Sequence, residues 1–376
     1  MHFLIAPNAF KHSLPALEVA SAIEKGLKRS NLKCSTELFP IGDGGDGTAQ
    51  LLNFKLKGEI VSVKATDPFG RTINASFYLV ENRQTAIIEL AEASGIKLIT
   101  NEARNPLKAS TYGTGELILA ALEYNVEKII ICIGGSATVD GGTGILRVLG
   151  VRFRDQNDEE IKNLPAELIN ITSIDISEMD KRINNTKIVV LCDVDNPLLG
   201  PQGAATIFGP QKGATDLQVV KLEQGLANFS SIIQKQFRLD LSNLKHGGAA
   251  GGTAAGLFAL LNAKLVDGID YFLEITGFEN QLDKADIVIT GEGAIDEQTL
   301  YGKGPAGVAK KAKAKGIPVI AVSGKVPVEP SQKFREYFDV LLSINNEPME
   351  MQGALSSTKK NLERIGFELG IIFSLS

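Results

Sequence analysis

The chain has few of the side chains that build metal centres or disulfide frameworks. Its 376 residues include three cysteines, Cys34, Cys132 and Cys192, and three histidines, His2, His12 and His246. The cysteines are too scattered for a zinc site or a disulfide scaffold, and the histidines share no metal-ligating spacing. Cys132 and Cys192 lie inside apolar runs and read as buried structural thiols. No apolar stretch approaches the ~18 residues of a membrane-spanning helix. The N-terminus lacks a signal peptide's basic region and apolar core, because Pro7, Asn8 and Lys11 interrupt it. A cytoplasmic protein with no membrane partner is therefore expected. A basic excess is also missing. The formal net charge is −5, which argues against a general nucleic-acid surface. The motifs G-x-S-x-G and G-x-x-x-x-G-K-[ST] do not occur, so neither serine-nucleophile catalysis nor an ordinary P-loop is expected.

What the chain has is an ordinary globular composition, 44% hydrophobic and 22% charged, with 38 glycines. The glycines cluster where short β-branched runs end. Phe3 to Ala6 leads to Asn8 and Lys11. Glu37 to Ile41 leads to Gly42-Asp43-Gly44-Gly45-Asp46-Gly47-Thr48. Ile129 to Ile133 leads to the glycine-rich stretch Gly134 to Gly144, Ile188 to Cys192 leads to Asp193-Val194-Asp195, and Ile287 to Thr290 leads to Gly291-Glu292-Gly293. In open α/β sheets ligands bind beyond the carboxyl ends of the strands, so this pattern predicts an enzyme cleft for an anionic ligand.

The order of elements predicts an α/β protein of two domains. The opening reads as strand, helix, strand, helix, with Ser13 capping a helix whose apolar face is Leu17, Ala20, Ile23 and Leu27. Three β-rich runs, Ile60 to Thr66, Ile73 to Val80 and Thr85 to Leu90, form a meander foreign to a doubly wound sheet. The last hundred residues return to β-α-β rhythm, with strands at 287–290, 319–322 and 340–343, a helix opening at Pro305, and a terminal helix using Leu355, Leu362, Ile365, Leu369 and Ile372. We expect a discontinuous Rossmann-like parallel α/β domain of residues 1–62 plus 275–376. A mixed α/β domain of residues 63–274 is inserted into it, with a ligand cleft between the two.

Several constellations could carry chemistry. In the stretch Gly134 to Gly144, Gly134, Gly135, Ser136, Gly141 and Gly142 suit phosphate or carboxylate binding, because glycines let backbone N–H groups approach an anion. Tight packing is the plainer alternative. A G-x-G-x-x-G stands at Gly302, Gly304 and Gly307 but does not directly follow a strand, so a dinucleotide site is not inferred. Lys303, just before the Pro305 helix, suits a phosphate or is simply solvated. Lys212 sits on a turn before a helix, where a functional lysine is slightly favoured over a plain turn residue. Gly247 to Gly252 reads as a packing device. Among the acids Asp43, Asp46, Asp193, Asp195, Glu292 and Asp296, helix capping explains Asp46 and Asp296 well. Asp193, directly after an apolar strand, is the best catalytic candidate, with Asp43 next. His12 reads as a surface histidine.

At these residues the chain resembles the bacterial type I glycerate kinases nearly end to end. The carriers are Ile5 to Leu14, Gly42 to Thr48, Ala91-Glu92-Ala93-Ser94-Gly95, Arg104-Asn105-Pro106-Leu107, Thr111 to Glu116, Gly134 to Gly142, Cys192 to Gly200, Phe208 to Gly213 and Gly291-Glu292-Gly293. The chain departs from the family pattern where Asn8 replaces an aspartate, Ala9 a serine, His12 a glycine, Val139 an asparagine and Ala294 an arginine. No role is assigned to positions 8, 139 and 294. The resemblance implies ATP-dependent, Mg²⁺-requiring phosphorylation of D-glycerate by direct in-line transfer, with the 2-position slightly favoured over the 3-position. Asp193 would orient or deprotonate the hydroxyl, and Asp43 would hold Mg²⁺. Lys11, Lys212, Lys303 and Gly304 would meet phosphoryl oxygens, and Ser94, Arg104 and Thr111 would hold the substrate carboxylate. A homodimer is left open. Two other readings stand beside this one: a nicotinamide-dependent hydroxy-acid dehydrogenase, and a non-catalytic small-anion binding protein.

Overall fold

The computed structural model describes residues 1–300 and 303–375. Tyr301 and Gly302, the first glycine of the G-x-G-x-x-G, lie outside the described residues. The fold is mixed α/β with parallel sheets. It divides into two compact units, Met1–Asp43 with Ile269–Ser376, and Gly44–Gly268. The unit bounds thus differ from the expected 62 and 275. Residues 44–62 join the larger unit, where Ala49 N–H donates to the buried Glu89 and Gly134 N–H to Gly44. Among the described residues no helix is long and apolar enough to cross a membrane.

The first unit is built on five parallel strands in the order Val340–Ser343, Val319–Lys325, Ile287–Ala294, His2–Pro7 and Ser35–Leu38. The three central strands are buried on both faces, as parallel strands between helices require, whereas the edge strands Ser35–Leu38 and Val340–Ser343 are half-buried or exposed; Phe3, Ile5, Ile289 and Val322 belong to one core. The strand Ile287–Ala294 runs four residues beyond the expected Thr290, because Glu292 and Ala294 still pair with Ser323 and Lys325. Helices Ala16–Arg29 and Met351–Ser374 pack backbone to backbone. A Cβ on Gly26 would lie 2.1 Å from the Glu363 carbonyl oxygen, and one on Gly366 2.2 Å from that of Ile23. Three local expectations are corrected. Ser13 caps nothing, since its hydroxyl donates to the Leu355 carbonyl on the terminal helix at 2.7 Å. Leu17 is exposed and Val19 takes its place on the buried face. Ile372 also faces solvent.

The second unit carries a six-stranded sheet in the order Lys264–Asp267, Lys187–Cys192, Lys128–Cys132, Thr85–Glu89, Thr72–Val80 and Glu59–Thr66. The first four are parallel and the last two are the expected antiparallel meander. A small hairpin, Arg152–Arg154 with Ser173–Asp175, lies in the polar stretch. Cys132 and Cys192 are buried thiols as expected.

Glycines set the packing of the loops above this sheet. The Gly247 to Gly252 segment and helix Thr253–Leu261 press onto the stretch 138–142. A Cβ on Gly251 would lie 2.0 Å from the Thr138 carbonyl oxygen, and one on Gly256 2.0 Å from that of Gly141. Alanine normally favours a helix interior by ~1 kcal/mol over glycine. Here the clash reverses the sign, and Gly256→Ala should destabilise the protein by about 2 kcal/mol. A lowered urea midpoint at unchanged m-value is the expected result; a midpoint at or above the parent's would contradict it.

Candidate active site

In the first unit the chemistry gathers where strands His2–Pro7 and Ile287–Ala294 end. Asn8 leaves the first strand buried, and its amide donates to the Asp43 carboxylate at 2.8 Å. Asp43 is itself 9% exposed. Glu292, on the neighbouring strand, is 7% exposed and accepts from Thr299 Oγ1 at 2.9 Å. Burial pushes its carboxyl up to about 7; Lys303 and Lys11 pull against that shift and Asp43 adds to it. Lys303 is the residue before helix Gly304–Ala314, and Lys11 is exposed. Gly304 is buried against Asn8, whose Nδ2 would lie 2.9 Å from an added Cβ. Two carboxylates, two lysines and a helix N-terminus thus share one electrostatic neighbourhood. Position 8 proves to hold Asp43, and the only prior signal was its place at a strand end. Ala294 is an exposed small residue.

In the second unit the stretch 134–144 is moored by its own Asp140 and by four neighbouring points of the chain, Gly44, Ser94, Thr111 and Gly251. Asp140 has no exposed surface, and its carboxylate accepts from Thr111 N–H and Oγ1, both at 2.8 Å, from Gly142 N–H at 3.1 Å and from Gly144 N–H at 3.3 Å. Burial raises its pKa and these donors oppose the rise. Gly134 N–H donates to Gly44, Ala137 N–H to Ser94 and Gly141 N–H to Gly251. Gly134, Gly141 and Gly142 therefore shape the loop, and their N–H groups are already engaged. Val139 is packed in the core.

The hydroxyls expected to hold substrate are buried as well. Thr111 is fully enclosed and bonded to Asp140, and it also accepts from Ile145 N–H at 3.1 Å. Ser94 is enclosed and shares a 2.7 Å hydrogen bond with Thr114. Arg104 differs. It is half-buried, its Nη1 donates to the Gln211 carbonyl at 3.1 Å, and its Nε is buried with no hydrogen-bond partner. Lys212 is 4% exposed, with its ammonium nitrogen 2.7 Å from Ser136 Oγ and 2.7 Å from the Thr138 carbonyl oxygen. Burial lowers its pKa to about 7, against the pull of Asp140 and Asp193. Asp193 is half-buried just after strand Lys187–Cys192 and lies within electrostatic reach of Lys212.

His246 has a place that spacing did not reveal. It is buried, with Nδ1 2.7 Å from the Val194 carbonyl oxygen and 3.2 Å from Asp195 Oδ1, and Nε2 3.7 Å from Asp267 Oδ1. Lys245 lies 3.0 Å from both Asp267 oxygens. The two carboxylates sit at opposite ring nitrogens and Lys245 pairs with both, so the group ties the ends of two strands. A further buried acid, Glu89, accepts from Gly47 N–H at 2.8 Å and Ala49 N–H at 3.2 Å. Lys97 bridges Asp46 and Glu92 beside it, at 3.1 and 3.4 Å.

The chain as a whole is similar to known proteins. The glycerate kinase family model matches residues 3–373. A glycerate kinase of Halalkalibacterium halodurans is 43% identical, over 99% of this chain and 98% of its own length. The glycerate 2-kinase of Escherichia coli is 40% identical, over 99% of this chain and 98% of its own. The solved structure of a glycerate kinase 2 candidate from Salmonella typhimurium LT2 superposes with a TM-score of 0.84 at 40% identity, covering 100% of this chain and 98% of that one.

Glu89 makes a pH test. Burial first, and then its hydrogen bond with Asp46, push its carboxyl up from 4.5 to about 8. Between those values the folded state holds a proton that the unfolded chain has released, so stability falls as pH rises through the window and levels off above it. Glu89→Gln should remove a slope of up to about 1.4 kcal/mol per pH unit, read from urea unfolding at several pH values. A slope unchanged by the substitution would show that Glu89 titrates normally.

Proposed function

The chain belongs to the glycerate kinase family, and on that premise we propose that it transfers the γ-phosphoryl group of ATP directly to D-glycerate, the 2-hydroxyl being favoured. The observation that carries this reading is the pairing of buried carboxylates Asp43 and Glu292 with Lys11 and Lys303 at the strand ends of one unit. Phosphoryl transfer asks little covalent chemistry of a protein; it asks for positioning and for neutralisation of charge. The name of the Escherichia coli relative, glycerate 2-kinase, favours the 2-hydroxyl.

Mg²⁺ takes hard oxygen ligands, and the donor set fits. Glu292 is an acid whose burial disfavours its charge, with Thr299 Oγ1 donating to it and Asp43 adding to the negative charge. Asp43 and Glu292 would hold the ion. A bound Mg²⁺ supplies charge neutralisation at the phosphoryl oxygens. Lys11 and Lys303 meet the remaining negative charge, and the N-terminus of helix Gly304–Ala314 adds its positive end. In the other unit Asp193 orients the glycerate hydroxyl and takes its proton. The unpartnered Nε of Arg104 supports a role for that side chain on the glycerate carboxylate, which matches a guanidinium geometrically. Gly135 and Ser136 remain candidates for phosphate contact, whereas Ser94 and Thr111 serve by fixing the loops around them.

The direct test is ADP release by the purified protein with D-glycerate, ATP and Mg²⁺. Glycerate-dependent ADP is expected, and phosphorus NMR of the product should report 2-phosphoglycerate; no ADP above a glycerate-free control would sink the reading. Asp193→Asn should lower turnover by about 10²–10⁴-fold with the fold intact, and a near-parental rate would remove Asp193 from the chemistry. Asp43→Asn should raise the Mg²⁺ concentration needed for half-maximal rate, and an unchanged requirement would place the ion elsewhere.

A further inference from the structure

Lys212 stands on the turn Pro210–Lys212, which closes through Gly213 in a left-handed conformation, φ 91°. That turn touches Arg104 twice. The Gln211 carbonyl accepts from Arg104 Nη1, and Gly213 is pressed so closely on Arg104 that an added Cβ would lie 2.6 Å from the arginine's own. From the other side of the turn the Lys212 side chain runs inward and ends on Ser136 Oγ and the Thr138 carbonyl. The stretch it reaches has its own moorings, at Gly44, Ser94, Asp140 and Gly251. It is therefore the fixed partner, and the turn is the part being held.

We propose that Lys212 is a positioning residue for Arg104: it rivets the 209–213 turn to the 134–144 stretch, so that the Gln211 carbonyl holds the guanidinium in one orientation. This deepens the kinase reading and rests on it for the role of Arg104. A lysine that grips phosphate presents its charge to the ligand. This one is enclosed, and burial brings its pKa to about 7 although Asp140 and Asp193 face it. In its uncharged form it has two N–H donors, and the structure provides two acceptors. Positioning therefore requires the donors and not the positive charge.

Three variants separate the roles. Lys212→Gln keeps two N–H donors without charge, Lys212→Arg keeps a charge on a larger group, and Lys212→Met keeps neither. If Lys212 positions Arg104, KM for glycerate should rise about tenfold or more in the Met and Arg variants and less in Gln, with KM for ATP changed less than about threefold throughout, since one misheld charged hydrogen bond is worth that much. A tenfold rise of KM for ATP in Met and Gln, with Arg retaining the parental value, would overturn the proposal in favour of a phosphate-binding cation. Parental kinetics in all three would overturn it outright. A parent without glycerate-dependent ADP release would instead indict the kinase reading. The rivet would then be read from unfolding of Ser136→Ala, Lys212→Gln and the double variant. Non-additive losses of stability would uphold the link, and additive ones would refute it.

Discussion

A carboxylate with no solvent must find its partners among its neighbours, and Asp140 does so by drawing two stretches of chain together, at Thr111 and at 140–144. One oxygen takes the N–H and hydroxyl of Thr111, and the two oxygens between them take Gly142 and Gly144 N–H. Leaving such a group short of donors costs more than any one of these bonds contributes. The chain at 140–144 therefore has few alternatives to the shape it adopts. Thr111 passes the constraint on by accepting from Ile145 N–H. The carbonyls of Thr138 and Gly141 are left facing Gly251 and Gly256, where no side chain fits. The Lys212 rivet and, through it, the hold on Arg104 rest on that fixed stretch.

The same economy appears in the first unit with the opposite purpose. Both oxygens of Asp140 are satisfied by protein donors, which makes a support. Glu292 is buried with Thr299 donating to it, two lysines at electrostatic range and a second carboxylate adding negative charge. An acid whose burial is incompletely compensated is a poor structural element and a good place for a cation or a phosphate to arrive. The loss of stability at such a position is the usual trade at functional sites. The structural acids and the working acids are thus told apart by how fully their oxygens are used.

This distinction explains what could be read from the residues alone. The β-branched runs made the strands legible, because a strand buried on both faces has a local signature. The meander was legible from its alternation and turns. The places of Asp43 and Asp193 beyond strand ends were legible, Asp193 because it follows such a run directly and Asp43 because it stands in a glycine-rich segment just past one. Ser94 and Thr111 were given ligand contacts by the family resemblance and Lys212 by its place on a turn before a helix, and none of these signals carried their partners at Thr114, Asp140 and Ser136, the last 76 residues away from Lys212. No local pattern encodes such a pairing. His246 was set aside on spacing alone, since Asp195 and Asp267 reach it only when two strands lie side by side. The unit bounds were missed for a similar reason: what assigns residues 44–62 is the reach of Gly44 and Ala49 to Gly134 and Glu89.

Two departures from the family pattern make sense together. An aspartate in place of Asn8 would bring a second negative group within hydrogen-bond distance of Asp43, already in company with Glu292. Asparagine brings an amide donor there instead, at 2.8 Å. An arginine in place of Ala294 would add a positive charge at the end of the strand that carries Glu292. With Asn8 and Ala294 one negative and one positive charge are absent from the same strand ends, so the net charge of the neighbourhood is unchanged while its extremes are reduced. The pair therefore leaves unchanged the net charge around Asp43, Glu292, Lys11 and Lys303, the residues to which the proposed phosphoryl transfer assigns the charge balance.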